Sequence, residues 1–337
     1  MRQGITIAGN MLVDTVKTIS SYPKIGMLSD IVSVQRAVGG CVPNTILNLA
    51  RMQGGIPLSA AGRIGRDDAG SYILSEMDKL GVKHDLVVVS EDSPTSFSDV
   101  MSALDTGERT FFHHRGANRE FAPADLDPKK LTCRMLHIGY ILLLDEFDRA
   151  DADYGTVMAR YLHDVQAEGI ETSIDVVSGS DGLFQEKVVP ALAYTDYAIM
   201  NEIEGCSVSG LPARDESGKL VVDNVVRTLE LFLKKGVKKR AILHSPEAGF
   251  CLDREAGLAI EPSFKLDKGY IKGSVGAGDA FCAGCLYSIY KNKDASWMLR
   301  YAAAAAAANL SEADSVSGMK PAAELIQRMN EWEVNKL

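Results

Sequence analysis

The stretch Gly273-Ser274-Val275-Gly276-Ala277-Gly278-Asp279-Ala280-Phe281 combines small side chains, a helix-like continuation and one carboxylate at the junction. That combination suits phosphate chemistry. Glycines let backbone N–H groups approach an anion, and the first turn of a helix adds unpaired donors and the positive end of its dipole. The backbone of Gly276, Ala277 and Gly278 would form an anion hole, and Asp279 would face both the phosphate and the hydroxyl that attacks it. At its ordinary pKa of about 3.9 such a carboxylate is ionised at neutral pH and needs only hydrogen-bond reach to that hydroxyl. The same residues also suit a glycine turn into a buried helix, with Asp279 as its cap.

Other polar positions adjoin apolar runs. Asn201 and Glu204 follow the run ending at Met200, where doubly wound sheets hold ligands, and their spacing is also that of a capping box. Asp14, Gly40 and Asn44 offer a carboxylate, a close-approach glycine and an amide, a set that suits a hydroxyl-rich ring. His113, His114 and Arg115 end another strand-like run. Alternation puts His113 and Arg115 on one face and His114 on the other, so metal binding by the adjacent histidines is not expected. Arg115 has the fork that grips a carboxylate or phosphate on a substrate; a charged edge strand accounts for it equally well.

The elements that would position these residues follow from hydrophobic patterning. Strand-like runs at Ile5 to Ala8, Leu58 to Ala61, Met135 to Ile138, Thr172 to Val176, Tyr197 to Met200 and Ala241 to His244 alternate with helical periodicity. That is the pattern of a parallel sheet with helices on both faces. Ile73, Met77 and Leu80 share a helix face before a C-capping Gly81, and Val225, Leu229, Phe232 and Leu233 share another. Ala302 to Ala308 are seven consecutive alanines, which favour helix and permit close approach of a neighbouring backbone or flat ring; tight helix packing accounts for most of them. Two stretches break the alternation. Residues 11–38 hold strand-like runs at Met11 to Thr18 and Ile31 to Val38; residues 95–115 hold Thr95 to Leu104 and Arg109 to Arg115, joined by a turn at Asp105-Thr106-Gly107-Glu108.

Composition narrows the class. The 337 residues, 46% of them hydrophobic, are ample for a buried core, and a formal charge of −9 argues against an extended nucleic-acid surface. No apolar run reaches the roughly 18 residues that would span a bilayer. Six cysteines are scattered without a disulfide framework, and the opening residues lack the order of a signal peptide, so a reducing cytoplasm is expected. Cys282 and Cys285 match C-x-x-C but fall in an apolar helix, where packing explains them better than zinc or redox chemistry. Neither the G-x-G-x-x-G of nicotinamide dehydrogenases nor the Walker G-x-x-x-x-G-K-[ST] is present.

Taken in order, the motifs resemble those of the PfkB (ribokinase-like) carbohydrate and nucleoside kinases. GSVGAGDAF is similar to the family's D-T-x-G-A-G-D-x-F, Gly9 to Asp14 to its first strand and substrate-binding Asp, and Gly39-Gly40 with Asn44 to its glycine pair and Asn. Gly62 to Gly70 resembles G-x-x-G-x-D-x-x-G, and Asn201 to Glu204 resembles N-x-x-E. The matches run from about residue 4 to residue 310. The resemblance implies an α/β fold: a ribokinase-like three-layer α/β/α sandwich with a mostly parallel central sheet and a small β-sheet lid. One kinase domain would span 1–337, with lid segments at about 11–38 and 95–116 that cover the substrate and could pair in a homodimer.

The implied activity is ATP-dependent phosphorylation of a hydroxymethyl group on a sugar or sugar-derived molecule. Asp279 would be the base, Gly276 to Gly278 the anion hole, and Asp14, Gly40, Asn44 and Arg115 the substrate contacts. Asn201 and Glu204 would organise Mg²⁺ through water, and Ser245, Gly249 and Asn309 would lie by the nucleotide. Neither nucleic acid nor membrane is expected as a partner. Two departures stand out. Gly273 and Ser274 replace Asp and Thr, which removes a carboxylate often used for a monovalent cation; His244-Ser245-Pro246-Glu247-Ala248-Gly249 replaces T-x-G-x-x-G, and Pro246 lacks an N–H beside the nucleotide. A nucleoside kinase is the alternative, for which Tyr22, Phe97, Phe111 and Phe112 are candidate platforms, and a non-catalytic sugar sensor is a further one.

Overall fold

The apolar runs become strands of one nine-stranded sheet, and the computed structural model describes residues 2–106, 108–177 and 182–336. The first strands are β1 (Ile5–Gly9), β2 (Leu12–Ile19), β3 (Ile31–Gly39), β4 (Leu58–Gly65) and β5 (Lys83–Ser90). Next come β6 (Ser96–Ala103), β7 (Arg109–His114), β8 (Met135–Ile141), and the short β9 (Ala150–Asp151) and β10 (Gly155–Thr156). The last are β11 (Glu171–Val176), β12 (Tyr197–Asn201), β13 (Arg240–His244), β14 (Ala248–Asp253) and β15 (Gly257–Pro262). The helices are α1 (Cys41–Arg51), α2 (Asp68–Asp78), α3 (Val157–Ala167), α4 (Phe184–Lys187) and α5 (Val189–Leu192). They continue with α6 (Glu202–Ser209), α7 (Val222–Lys234), α8 (Ala277–Tyr290), α9 (Ala295–Asn309) and α10 (Ala322–Glu331).

Strand order in the large sheet is β15-β14-β13-β12-β11-β8-β1-β4-β5. From β13 to β5 every neighbouring pair is parallel, and β14 and β15 add an antiparallel edge. Side-chain alternation along β1 shows why helices must cover both faces. Ile5 and Ile7 enter one core with α1, α8, α9 and α10, while Ala8 enters the other with α3 and α7. The result is the expected three-layer sandwich. Among the described residues no helix is long and apolar enough to cross a membrane. All six cysteines are free and buried, Cys282 and Cys285 within α8.

The lid is a second sheet in the order β3-β2-β6-β7. Its two ribbons are antiparallel, as the sequence suggests, and β2 joins β6 in parallel so that they become one sheet. Strand β7 ends at His114, and Arg115 precedes a 3-10 turn over Gly116–Glu120 instead of extending the strand. Gly107 of the turn expected between β6 and β7 lies outside the described residues.

Polar side chains tie the root of the lid to the body. Asp67 caps α2 by accepting from Gly70 N at 2.8 Å, and it also accepts from Thr95 N at 2.7 Å and Thr95 Oγ1 at 2.6 Å. Thr95 stands one residue before β6. Asn118 holds the backbone of Met11, just ahead of β2, by accepting from its N–H and donating to its carbonyl, each at 3.0 Å. The Gly62 to Gly70 stretch therefore acts as a fastening between sandwich and lid.

Candidate active site

Helix α8 starts where the chain needs left-handed backbone. Gly276 is its N-cap at φ 74°, and a Cβ there would lie 2.4 Å from the Ser315 Cβ, so glycine alone fits. Asn309 Nδ2 donates to the Val275 carbonyl at 3.0 Å and fixes the preceding residue of the turn. The helix opens toward a cavity of about 680 Å³ lined by Ala277 and Gly278. Asn201, Ser245 and Gly249 line it from the strand ends; Ala303, Ala306 and Ala307 line it from α9. Three of the seven alanines thus form a smooth wall, while Ala302 meets α8 so closely that a Cβ on Gly284 would lie 2.6 Å from its Cα. His244 tilts against Phe281 at 4.6 Å between centroids, and burial holds its imidazole down at a pKa of about 4, so it lines the cavity as a neutral ring.

Of the residues expected by the nucleotide, Ser245 and Gly249 line this cavity. Pro246 lies in a tight turn in which Ser245 Oγ accepts from Glu247 N and Ala248 N, each at 3.2 Å. Asn309 is not among the cavity-lining residues; its amide supports the glycine turn from behind. Leu310, Ile271 and Asn335 line the cavity without any signal in the sequence that singles them out.

Asp279, in the first turn of α8, is buried. Asn44 Nδ2 donates to its Oδ2 at 3.0 Å, and Tyr140 Oη donates to its Oδ1 at 2.5 Å. Asn44 is itself oriented by Ser315 Oγ, 2.7 Å from its Oδ1. Burial pushes the Asp279 carboxyl up to about 6, the bonds from Tyr140 and Asn44 pull it down, and the Asp14 charge adds to the rise. This corrects the expectation of an ordinary value near 3.9: a carboxylate out of water resists ionisation more than its two donors compensate.

Asp14 lies on β2 and is likewise pushed up to about 6 by burial, with a hydrogen bond from Ser98 opposing. Ser98 Oγ lies 3.1 Å from His113 Nδ1, so a polar chain runs from Asp14 across the lid. Gly40 begins α1 at φ 88°, and a Cβ there would lie 2.7 Å from the Asn10 carbonyl. Asp14, Asn44 and Asp279 thus form one electrostatic and hydrogen-bonded group around the start of α1 and α8. Arg115 is not part of it. Its guanidinium pairs with Asp145 and donates to the Leu142 carbonyl at 3.4 Å, beside a separate cavity of about 270 Å³.

Asn201 and Glu204 make the capping box of α6. Asn201 Oδ1 accepts from Glu204 N at 2.8 Å, and Glu204 Oε2 accepts from Asn201 N at 3.0 Å. Capping does not remove them from the site, because Asn201 lines the cavity and the Glu204 carboxylate is felt by Asp175, which also feels Asp279. Tyr140 is the main residue that sequence reasoning passes over. Its place at the carboxyl end of an apolar strand in a doubly wound sheet is the signal that points to it.

Comparison with known proteins agrees with this architecture. The model of the pfkB family carbohydrate kinases matches residues 5–322. A curated ribokinase of Arabidopsis thaliana is 24% identical over 304 residues, covering 90% of this chain and 74% of that protein. The structure of Arabidopsis thaliana ribokinase complexed with ribose and ATP superposes with a TM-score of 0.79 at 19% identity, covering 98% of this chain and 99% of that one. A nucleoside kinase of Methanocaldococcus jannaschii gives a TM-score of 0.75 at 17% identity, with 98% of each chain covered. With the family's pattern matched from the first strand of the sheet to the start of the last helix, the chain belongs to the pfkB family of carbohydrate kinases, phosphotransferases that use ATP and an alcohol acceptor.

Proposed function

We propose that the protein transfers the terminal phosphoryl group of ATP to a hydroxymethyl group of a sugar or sugar-derived small molecule, with Asp279 as base. One observation carries this reading. Asp279 sits between the 680 Å³ cavity, whose wall its helix begins, and the group formed by Asp14 and Asn44. An acceptor held by Asp14, Asn44 and the backbone at Gly40 would present its hydroxyl to Asp279. As its oxygen bonds to phosphorus and the bond to ADP breaks, its proton passes to the Asp279 carboxylate. The N–H groups at the head of α8 face the charge that develops on the phosphoryl oxygens.

Asn201 and Glu204 offer amide and carboxylate oxygens beside the cavity, a donor set that fits Mg²⁺, and they would hold it through water. When bound, the ion neutralises phosphate charge. The residue range 1–337 acts in this reading as one kinase unit, with segments 11–38 and 95–116 as lid. Ile25, Met27 and Leu28, exposed at 106%, 70% and 85%, support pairing of two lids in a homodimer. Six free buried thiols favour a reducing compartment, the cytoplasm.

A nucleoside acceptor is the second reading, and strand register bears on it. Asp14 pairs with Ser98 and Ser98 with His113, so Phe111, two residues along β7, shares the face of Asp14. Phe97 and Phe112 are on the other face, with Phe97 stacked on His114 at 5.1 Å. Only Phe111 of those three could stack on a base.

The test is ADP release from Mg-ATP across pentoses, hexoses, sugar acids and nucleosides, followed by Asp279→Asn with the best acceptor. Turnover is expected with a sugar-type acceptor, and the substitution should lower kcat at least about a hundredfold with ATP binding retained. Near-wild-type kcat in Asp279→Asn would reject that residue as base. Turnover with nucleosides alone would replace the first reading by the second.

A further inference from the structure

Below Asp279, three donor atoms converge that the phosphoryl transfer does not require. His137 on β8, Asp175 on β11 and Cys282 on α8 each offer one ligand atom, and these atoms lie within 4.8 Å of one another in the buried core. They come from three elements that are distant in the chain, so local sequence does not explain the convergence. Two distances make it specific. The His137 Nε2 and Cys282 Sγ atoms are 3.6 Å apart. Zinc bonded to sulfur at about 2.3 Å and to nitrogen at about 2.0–2.1 Å, at a tetrahedral angle, separates those two ligands by about 3.6 Å. The opposite ring atom, His137 Nδ1, lies 3.0 Å from Ser173 Oγ. With Nδ1–H donating to that hydroxyl, the Nε2 lone pair faces the sulfur, which is the orientation a second-shell partner imposes on a ligating histidine.

We propose that His137, Asp175 and Cys282 form a binding site for one borderline-soft divalent cation of the zinc class, distinct from the Mg²⁺ that accompanies the nucleotide. The donor set supports the distinction. Thiolate and imidazole suit zinc and cobalt, whereas Mg²⁺ requires hard oxygen ligands in near-octahedral array. Three protein ligands leave a fourth tetrahedral position for water, and Asp175, which feels both Glu204 and Asp279, is the ligand on the side of the candidate active site. Without the cation, the 3.6 Å contact is occupied by the thiol proton, which leaves to solvent as the metal binds. Cys285, one turn further along α8, takes no part.

Cobalt(II) is the probe, titrated into the whole protein under reducing, nucleotide-free conditions. One equivalent should bind and give an intense near-ultraviolet thiolate-to-cobalt charge-transfer band, which equimolar Zn²⁺ removes and a hundredfold excess of Mg²⁺ leaves. Cys282→Ala should abolish the band, and His137→Gln should weaken cobalt binding at least tenfold. Zn²⁺ should raise the melting temperature of the wild type by several degrees and that of Cys282→Ala by none. The absence of a band in folded wild-type protein overturns the proposal, as does a band that survives in Cys282→Ala. Should either variant fail to fold, the wild-type titration alone still decides. Because none of these readouts depends on turnover, the result is independent of the kinase reading.

Discussion

Asp279 carries its charge in a place that resists it. With its carboxyl lifted to about 6, ionisation is lost as pH falls through that value, so the acid limb of kcat should lie near pH 6 instead of near 4. A pH–rate profile with saturating ATP and acceptor checks this. Tyr140 Oη donates to the same carboxylate at 2.5 Å and favours its anion. Tyr140→Phe removes that donor, so the limb should move upward by about one pH unit. Turnover should then fall more at pH 6 than at pH 8, with the KM for ATP unchanged; an unmoved limb would mean that Tyr140 does not touch the base in the working enzyme. Because Gly273 and Ser274 leave the turn without the usual carboxylate, exchanging K⁺ for Na⁺ should change kcat less than about twofold, as a direct assay in the two salts would register. Asp279 and Gly276 are legible in the sequence because small residues beside a lone acid make an unusual local pattern, and Asn44 because it follows the glycine pair Gly39-Gly40. Ser315 is not, since its contacts join residues far apart in the chain, and Tyr140 is marked only by its place at the carboxyl end of an apolar strand.

The elements divide by how they are buried. Strands β1, β4, β8, β11, β12 and β13 were readable because both their faces meet helices, which demands near-continuous apolar runs. The outer strands β5, β14 and β15 include exposed or half-buried positions, and that weakens the same signal. The parallel β2–β6 pairing was also hidden, because it joins two ribbons that each looked complete. Helix α9 shows how one composition serves two purposes. Ala302 packs against α8, whereas Ala306, at the edge of the core, also lines the cavity of about 680 Å³. Ala306→Leu should therefore intrude into that cavity and raise the KM for ATP at least about tenfold, leaving acceptor KM nearly unchanged. Steady-state kinetics with each substrate varied separately distinguishes this from general destabilisation, which would reduce the amount of active enzyme without a selective KM effect.

For the whole molecule, the proposed roles of the lid in assembly and in access lead to separate expectations. Ile25, Met27 and Leu28 protrude from the connection between β2 and β3, an arrangement that suits cover by a second copy. The double substitution Ile25→Glu with Leu28→Glu should shift sedimentation from dimer to monomer at micromolar concentration; a wild-type protein that already sediments as a monomer would remove the basis for lid pairing. The bonds from Asp67 to Thr95 and from Asn118 to Met11 hold the start of β6 and of β2 against the sandwich. Bonds along the base of a sheet oppose its lifting as a whole. With the acceptor seated as proposed, its way in would run beneath the outer edge, and stiffening that rim should slow exchange of small molecules without disturbing the seat they occupy.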